Sequence, residues 1–167
     1  MSLLQLTACI LFSTITVDTA GNHTTEKETS TNGINWVSLE LAQQAAKTEP
    51  KNIFIDVYTD WCGYCKKMDQ NTFSDSSVVN YVNENFYAVK LNAESTKKVT
   101  FKGVEMTEQE LSRVFRVRGY PTIVFMDETF EQVAPLSGYR SAQEFKAILM
   151  QFDKVVSPWF KLSFNLE

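Results

Sequence analysis

Two cysteines three residues apart, in Cys62-Gly63-Tyr64-Cys65, are the residues of this 167-residue chain whose type and spacing point most directly to a reaction. On a helix, residues three apart share a face about one turn from each other. Two thiols so placed can close a short disulfide or act in turn on the same substrate sulfur. At a helix start, the unpaired N–H groups and positive dipole favour the Cys62 thiolate, and Lys66 and Lys67 add positive charge behind it. An exposed, stabilised thiolate attacks a disulfide, and its neighbour resolves the mixed disulfide that forms. The expected chemistry is thiol–disulfide exchange, with Cys62 attacking and Cys65 resolving. Asp56, six residues upstream in an apolar run, is costly to bury unless it is hydrogen-bonded, protonated or used. It reads either as a strand-end acid reaching solvent or a backbone N–H, or as an acid serving the cysteines.

Other chemistries find little support. The single histidine, His23, sits in a polar tract, so a Cys/His pair or a zinc site would need ligands that the folded region lacks, and no metal is expected. A net charge of −4 without a Lys/Arg cluster argues against nucleic acid as a partner. The third cysteine, Cys9, stands near the start, so no structural disulfide framework is expected.

The elements that must position the cysteines follow from pattern. Ile53–Tyr58 reads as a buried strand running into a helix from Cys62 to about Asn71. Upstream, 34–37 reads as a short edge strand. Ser38 then caps a helix that carries Leu41 and Ala45 on one face and stops before Pro50. Downstream, 72–75 caps a helix with a Val78, Val79, Val82 stripe, and 86–92, with Lys90, alternates as a second buried strand. Residues 93–106 read as a surface insertion or an extra hairpin. Thr107-Glu108-Gln109-Glu110 is a capping box opening a helix with Leu111, Val114 and Phe115 inward and its end near Gly119. Pro121 precedes the apolar strand 122–126, whose return strand is expected at about 130–134, with Gly138 in the following loop. A second capping box from Ser141 opens an amphipathic helix with Phe145, Ile148, Leu149 and Phe152 inward. The order predicts an α/β fold, a central mixed sheet with helices on both faces.

The expected domain spans 34–156. Residues 1–20 read as an export leader, because 3–17 is mostly apolar, too short to span a bilayer and followed by a polar tract. Leu6-Thr7-Ala8-Cys9 offers a lipoprotein reading in which Cys9 carries a lipid anchor. Residues 21–33 are a polar linker, and 157–167 a C-terminal extension.

Asp56-Val57-Tyr58-Thr59-Asp60-Trp61-Cys62-Gly63-Tyr64-Cys65-Lys66, then Val89-Lys90-Leu91-Asn92 and Arg118-Gly119-Tyr120-Pro121-Thr122, resemble the thioredoxin family in motif order. The stretch 59–75 is similar to its periplasmic, reducing branch, which includes secreted thioredoxin-like proteins and the C-terminal domain of the bacterial transmembrane thiol:disulfide interchange reductase. The resemblance covers roughly 34–156. It implies the thioredoxin fold and a redox-active disulfide with no other cofactor. Asp56 would be the buried acid that exchanges protons with Cys65, and Lys90 the lysine beside it. Trp61 would shield the active surface, Pro121 would be cis, and Tyr120 and Gly138 would flank a bound peptide. Gly63-Tyr64 differs from the Gly-Pro of cytosolic members and is similar to that of some periplasmic isomerases. The implied function is an exported, periplasmic or secreted, monomeric reductase of disulfides in exported proteins. An upstream dithiol donor, such as a membrane reductase, would supply it. The alternatives are an oxidase or isomerase, or a redox-silent peptide-binding module.

Overall fold

The computed structural model describes residues 33–156. The expected leader, Cys9, His23 and the extension at 157–167 lie outside the described residues, as does all of the linker but Gly33. A five-stranded sheet holds the fold, in the order β1 (Trp36–Val37), β3 (Phe86–Asn92), β2 (Asn52–Tyr58), β6 (Thr122–Met126) and β7 (Val133–Ser137). β1 and β2 run parallel to β3, whereas β6 pairs antiparallel with both of its neighbours, β2 and β7, so the sheet is mixed. β2 and β6 are central and therefore apolar almost throughout, as strands covered on both faces must be. Helices α1 (Leu39–Ala45) and α4 (Glu108–Val114) cover one face, and α2 (Gly63–Asn71), α3 (Ser76–Asn85) and α5 (Ala142–Val156) the other.

Strand alternation separates two cores. Ile53, Ile55 and Val57 pack with Val89, Leu91, Leu111 and Phe115 on one side. Phe54 anchors an aromatic cluster on the other, with Trp36, Phe73, Phe86 and Phe145 at ring separations of 5.6 to 6.4 Å.

Several expectations need correction. In α1 the buried residues are Leu39 and Ala42, while Leu41 is half exposed. Ser38 accepts the Leu41 N–H, so the helix starts at Leu39 and turns that residue inward. Val114 also faces solvent, and α4 stops at Val114, well short of Gly119. The stop is a turn in which Val117 N–H donates to Ser112 O and Arg116 N–H to Arg113 O, with Arg116 at φ 57°. Glycine ordinarily marks that position, and an arginine there hides the signal. β7 begins three residues later than expected, because Asp127 accepts from the N–H groups of Glu131 and Gln132 and lengthens the turn. Phe130, at φ 63°, is thereby turned into the core against Phe101.

Between β3 and α4 the chain forms a separate hairpin, β4 (Lys98–Phe101) with β5 (Val104–Thr107). Its inner residues Val99 and Phe101 are buried. Its outer edge is satisfied by α1, since Thr100 N–H donates to Glu40, Lys102 N–H to Gln43, and Gln43 Nε2 to Thr100 O. No helix among the described residues is long and apolar enough to cross a membrane.

Candidate active site

β2 ends at Tyr58, and four residues later the chain reaches Cys62, the N-cap of α2. Cys62 N–H donates to Thr59 O at 3.1 Å, which holds the turn, and Cys62 Sγ accepts the Cys65 N–H at 3.0 Å. The cysteines form a disulfide with Cα atoms 5.3 Å apart. Sulfur therefore occupies the position where a side-chain acceptor caps the first turn, and where helix N–H groups stabilise a thiolate. In the disulfide form Cys62 is only 4% accessible, less open than the exposed attacker expected from sequence. Among the described residues nothing lies within 4 Å of where a Gly63 side chain would project, so the missing side chain answers to no internal contact there.

Asp56 lies on the face of the sheet that α2 covers and is 1% exposed, which excludes a strand-end acid reaching solvent. Its register partner on β3 is Lys90, whose Nζ donates to Asp56 Oδ2 at 3.0 Å and also to Asp69 of α2. Burial pushes the Asp56 carboxyl up to about 6, with the charge and hydrogen bond of Lys90 pulling against it. Burial opposes the Lys90 charge too, but Asp56 and Asp69 outweigh it and hold its pKa above the ordinary lysine value. The ammonium is further enclosed by the rings of Trp36, Tyr58 and Phe73, at 4.8 to 5.6 Å from their centroids. Asp56 Oδ1 and Thr59 Oγ1 are buried without a hydrogen-bond partner among the described residues.

The rim above the disulfide is aromatic. Trp61 is 66% exposed and Tyr64 62%, so neither packs in a core. Trp61 meets Tyr120 edge-on at 5.9 Å, and Tyr64 lies 6.2 Å from Tyr139. The Tyr120–Pro121 peptide is cis, and Pro121 O accepts the Gly138 N–H at 2.8 Å, joining the two loops that border the disulfide end. Gly138 has φ 94°, a conformation that favours glycine, and a Cβ there would meet Arg140 Nη1 at 3.3 Å. Thr122 completes the corner by donating to Gly119 O.

The structure thus gathers Cys62, Cys65, Asp56, Lys90, Trp61, Tyr64, Tyr120, Pro121 and Gly138 at the end of the sheet where β2 and β3 finish. It also adds residues that sequence reasoning missed. Asp69 stands seven residues after Cys62, hence on the same helical face, and that spacing was a usable signal. Glu94 accepts from Trp61 Nε1 through both carboxylate oxygens at 3.0 Å. Tyr139 packs beneath Lys67, whose Nζ is 5.1 Å from its ring centroid. Neither Glu94 nor Tyr139 belongs to a pattern that sequence spacing could reveal. Among the described residues no group of three His, Cys, Asp or Glu side chains is arranged to hold a metal ion.

Comparison with known proteins places this geometry. The thioredoxin-like domain model matches residues 39–153. A thiol:disulfide interchange protein DsbD of Pectobacterium atrosepticum is 29% identical over 131 residues, 75% of this chain but 21% of the relative. The chain thus spans about a fifth of the length of the curated relatives it matches. Among solved structures, a Bacteroides thetaiotaomicron protein described as a candidate disulphide-isomerase is similar at 30% identity and TM-score 0.55, covering 78% of this chain and 98% of that one. The oxidised C-terminal domain of Neisseria meningitidis DsbD shares the fold at 24% identity and TM-score 0.53, covering 67% and 90%.

Proposed function

We propose that this chain, which belongs to the thioredoxin-like family and is a thiol–disulfide oxidoreductase, works outside the cytoplasm as a reductase of exported proteins. In the dithiol state the Cys62 thiolate attacks one sulfur of a substrate disulfide. A Cys62–substrate bond forms, and the other substrate sulfur leaves as a thiolate. Cys65 then gives its proton to the Asp56 carboxylate and attacks Cys62 Sγ, which releases the second substrate sulfur. Two electrons pass to the substrate, the chain is left as the Cys62–Cys65 disulfide, and an upstream dithiol restores it. Tyr120 and Pro121 border the groove in which the substrate backbone would lie, with Trp61 and Gly138 on either side.

The observation that carries the direction is the seat of the disulfide, at the start of a helix whose face and underlying strand bring two carboxylates, Asp56 and Asp69, to a single lysine. Carboxylates on that side disfavour an added negative charge and limit how far the helix start can lower the Cys62 pKa. A thiolate that is only moderately stabilised leaves the dithiol a better electron donor. Export rests on the apolar stretch 3–17 followed by the polar tract, with a lipid anchor at Cys9 as the variant of that reading.

Equilibrating the pair with glutathione tests the direction. A reductase should give a potential nearer the roughly −270 mV of thioredoxin than the roughly −120 mV of strong oxidants. The second reading, an isomerase, is favoured by Gly63-Tyr64 and by the similarity to the Bacteroides protein. A potential near −180 mV together with rearrangement of a scrambled substrate would establish it instead.

A further inference from the structure

We propose that the groove over the disulfide selects extended polypeptide substrates by the order of charges on the two sides of their cysteine. This rests on the exchange reaction just described and adds a rule for which disulfides enter it.

The two aromatic pairs contributed by the residues just before Cys62 and just before Cys65 are alike in ring chemistry and opposite in the charges beside them. At one end the Trp61 and Tyr120 rings meet, and the charges beside them are acidic. Glu94 is tied to Trp61 Nε1 through both oxygens, and Asp60 accepts from Asn92 Nδ2 at 3.3 Å. Both carboxylates are exposed. At the other end the Tyr64 and Tyr139 rings meet, and the charges are basic. The Lys67 ammonium sits over the Tyr139 ring, and Arg140 Nη1 donates to Tyr139 O at 2.8 Å.

These charges are held in place. The Arg140 backbone is anchored by Thr72 Oγ1, which donates to Arg140 O at 2.6 Å, and the adjoining Gly138 is bound to Pro121 O. Glu94 is positioned by its own N–H donating to Asn92 Oδ1 at 3.0 Å. Fixed charges beside a buried sulfur influence an incoming chain more than mobile surface charges do, because their orientation is settled before binding. Exposed Trp61 and Tyr64, backed by half-buried Tyr120 and Tyr139, supply contact area that does not depend on sequence, so charge is left to discriminate. A favoured substrate would carry basic residues on the flank that reaches Trp61 and acidic residues on the flank that reaches Tyr139.

The test uses the full chain in its reduced form and four peptides, each with one cysteine capped by 2-mercaptoethanol through a mixed disulfide. One peptide has lysines before and glutamates after the cysteine, one has the reverse order, one has lysines on both sides, and one has neutral flanks. Of the two mixed-charge peptides, one should be reduced about three- to tenfold faster than the other and than the all-lysine peptide at low ionic strength. The difference should collapse in about 1 M salt, where screening acts within about 3 Å. Lys67→Glu and Glu94→Lys together cancel the net charge of the acidic end and weaken that of the basic end, and should bring the two mixed-charge peptides to within about twofold of each other. If the neutral peptide is reduced and the two mixed-charge peptides react within twofold of each other, the charge rule fails and the reductase reading stands. An undiminished preference in the exchanged variant would also overturn the rule. Failure to reduce any peptide, the neutral one included, would instead remove the reductase reading itself.

Discussion

Ile53, Ile55 and Val57 point from β2 to one face of the sheet, and Phe54 and Asp56 to the other. On the first face these side chains pack into an apolar cluster, and what lies beyond α1 is a hairpin whose backbone groups α1 itself satisfies. On the second, the next inward position after Phe54 is an acid joined through Lys90 to Asp69. Both faces are equally well buried, so burial does not distinguish them. The difference is that one face maximises transferred apolar area, whereas the other keeps a charged group that the fold would be more stable without. Such a group on the strand that leads to the redox-active pair is what the proposed proton transfer from Cys65 would use.

The sharpest way to separate the faces is to remove chemistry without touching packing. Cys62→Ser should abolish disulfide reduction, yet serine is itself a good N-cap, so α2 should start in the same place. Unfolding in urea is expected to lie within about 1 kcal/mol of the reduced wild type. A variant that keeps activity would show that the pair is not the reacting centre.

The converse change is Ile55→Ala in the apolar cluster of the first face, where the side chain is fully buried. It should lower stability by about 2–5 kcal/mol through lost transfer energy and the cavity left behind. Its equilibrium with glutathione should stay within about threefold of wild type, about 15 mV for two electrons. A larger shift in potential would mean that the two faces are coupled.

Asp56→Asn should have the smallest effect on stability and the most informative sign. Folding raises the Asp56 pKa from 3.8 to about 6, so between those values the folded state binds more protons than the unfolded one. Stability therefore falls as pH rises through that window, and the full cost of the buried charge is present above it. Near pH 4 the variant should match wild type. Near pH 8 it should be more stable by on the order of 1–3 kcal/mol, because Lys90 keeps Asp69 as a partner. Resolution of the mixed disulfide by Cys65 should slow while attack by Cys62 persists, as quenched time courses would show. Loss of stability at pH 8 with unchanged resolution would make Asp56 a structural partner of Lys90.

How much of this was legible beforehand depended on the range of the interaction involved. The apolar run of β2, the Cys-x-x-Cys helix start, the capping boxes at Thr107 and Ser141 and the α3 stripe are local patterns, and the structure has them where the residues suggest. Periodicity also placed Asp56 in an apolar run and so marked it as anomalous. Where a helix stopped without glycine at Arg116, or a side chain such as Asp127 lengthened a turn, the local signal was absent and the boundaries moved.

Only the tertiary structure decided which distant residues meet. The pairing of β2 with β3 sets Asp56 opposite Lys90, and α2 packing on that face brings Asp69 to the same ammonium. The joining of Pro121 to Gly138 and the contact of Trp61 with Glu94 likewise bridge long stretches of chain. Local sequence determines what each segment can become, because propensity, capping and periodicity act over a few residues. Partners far apart in the chain are chosen by sheet register and helix packing, and those are properties of the folded whole.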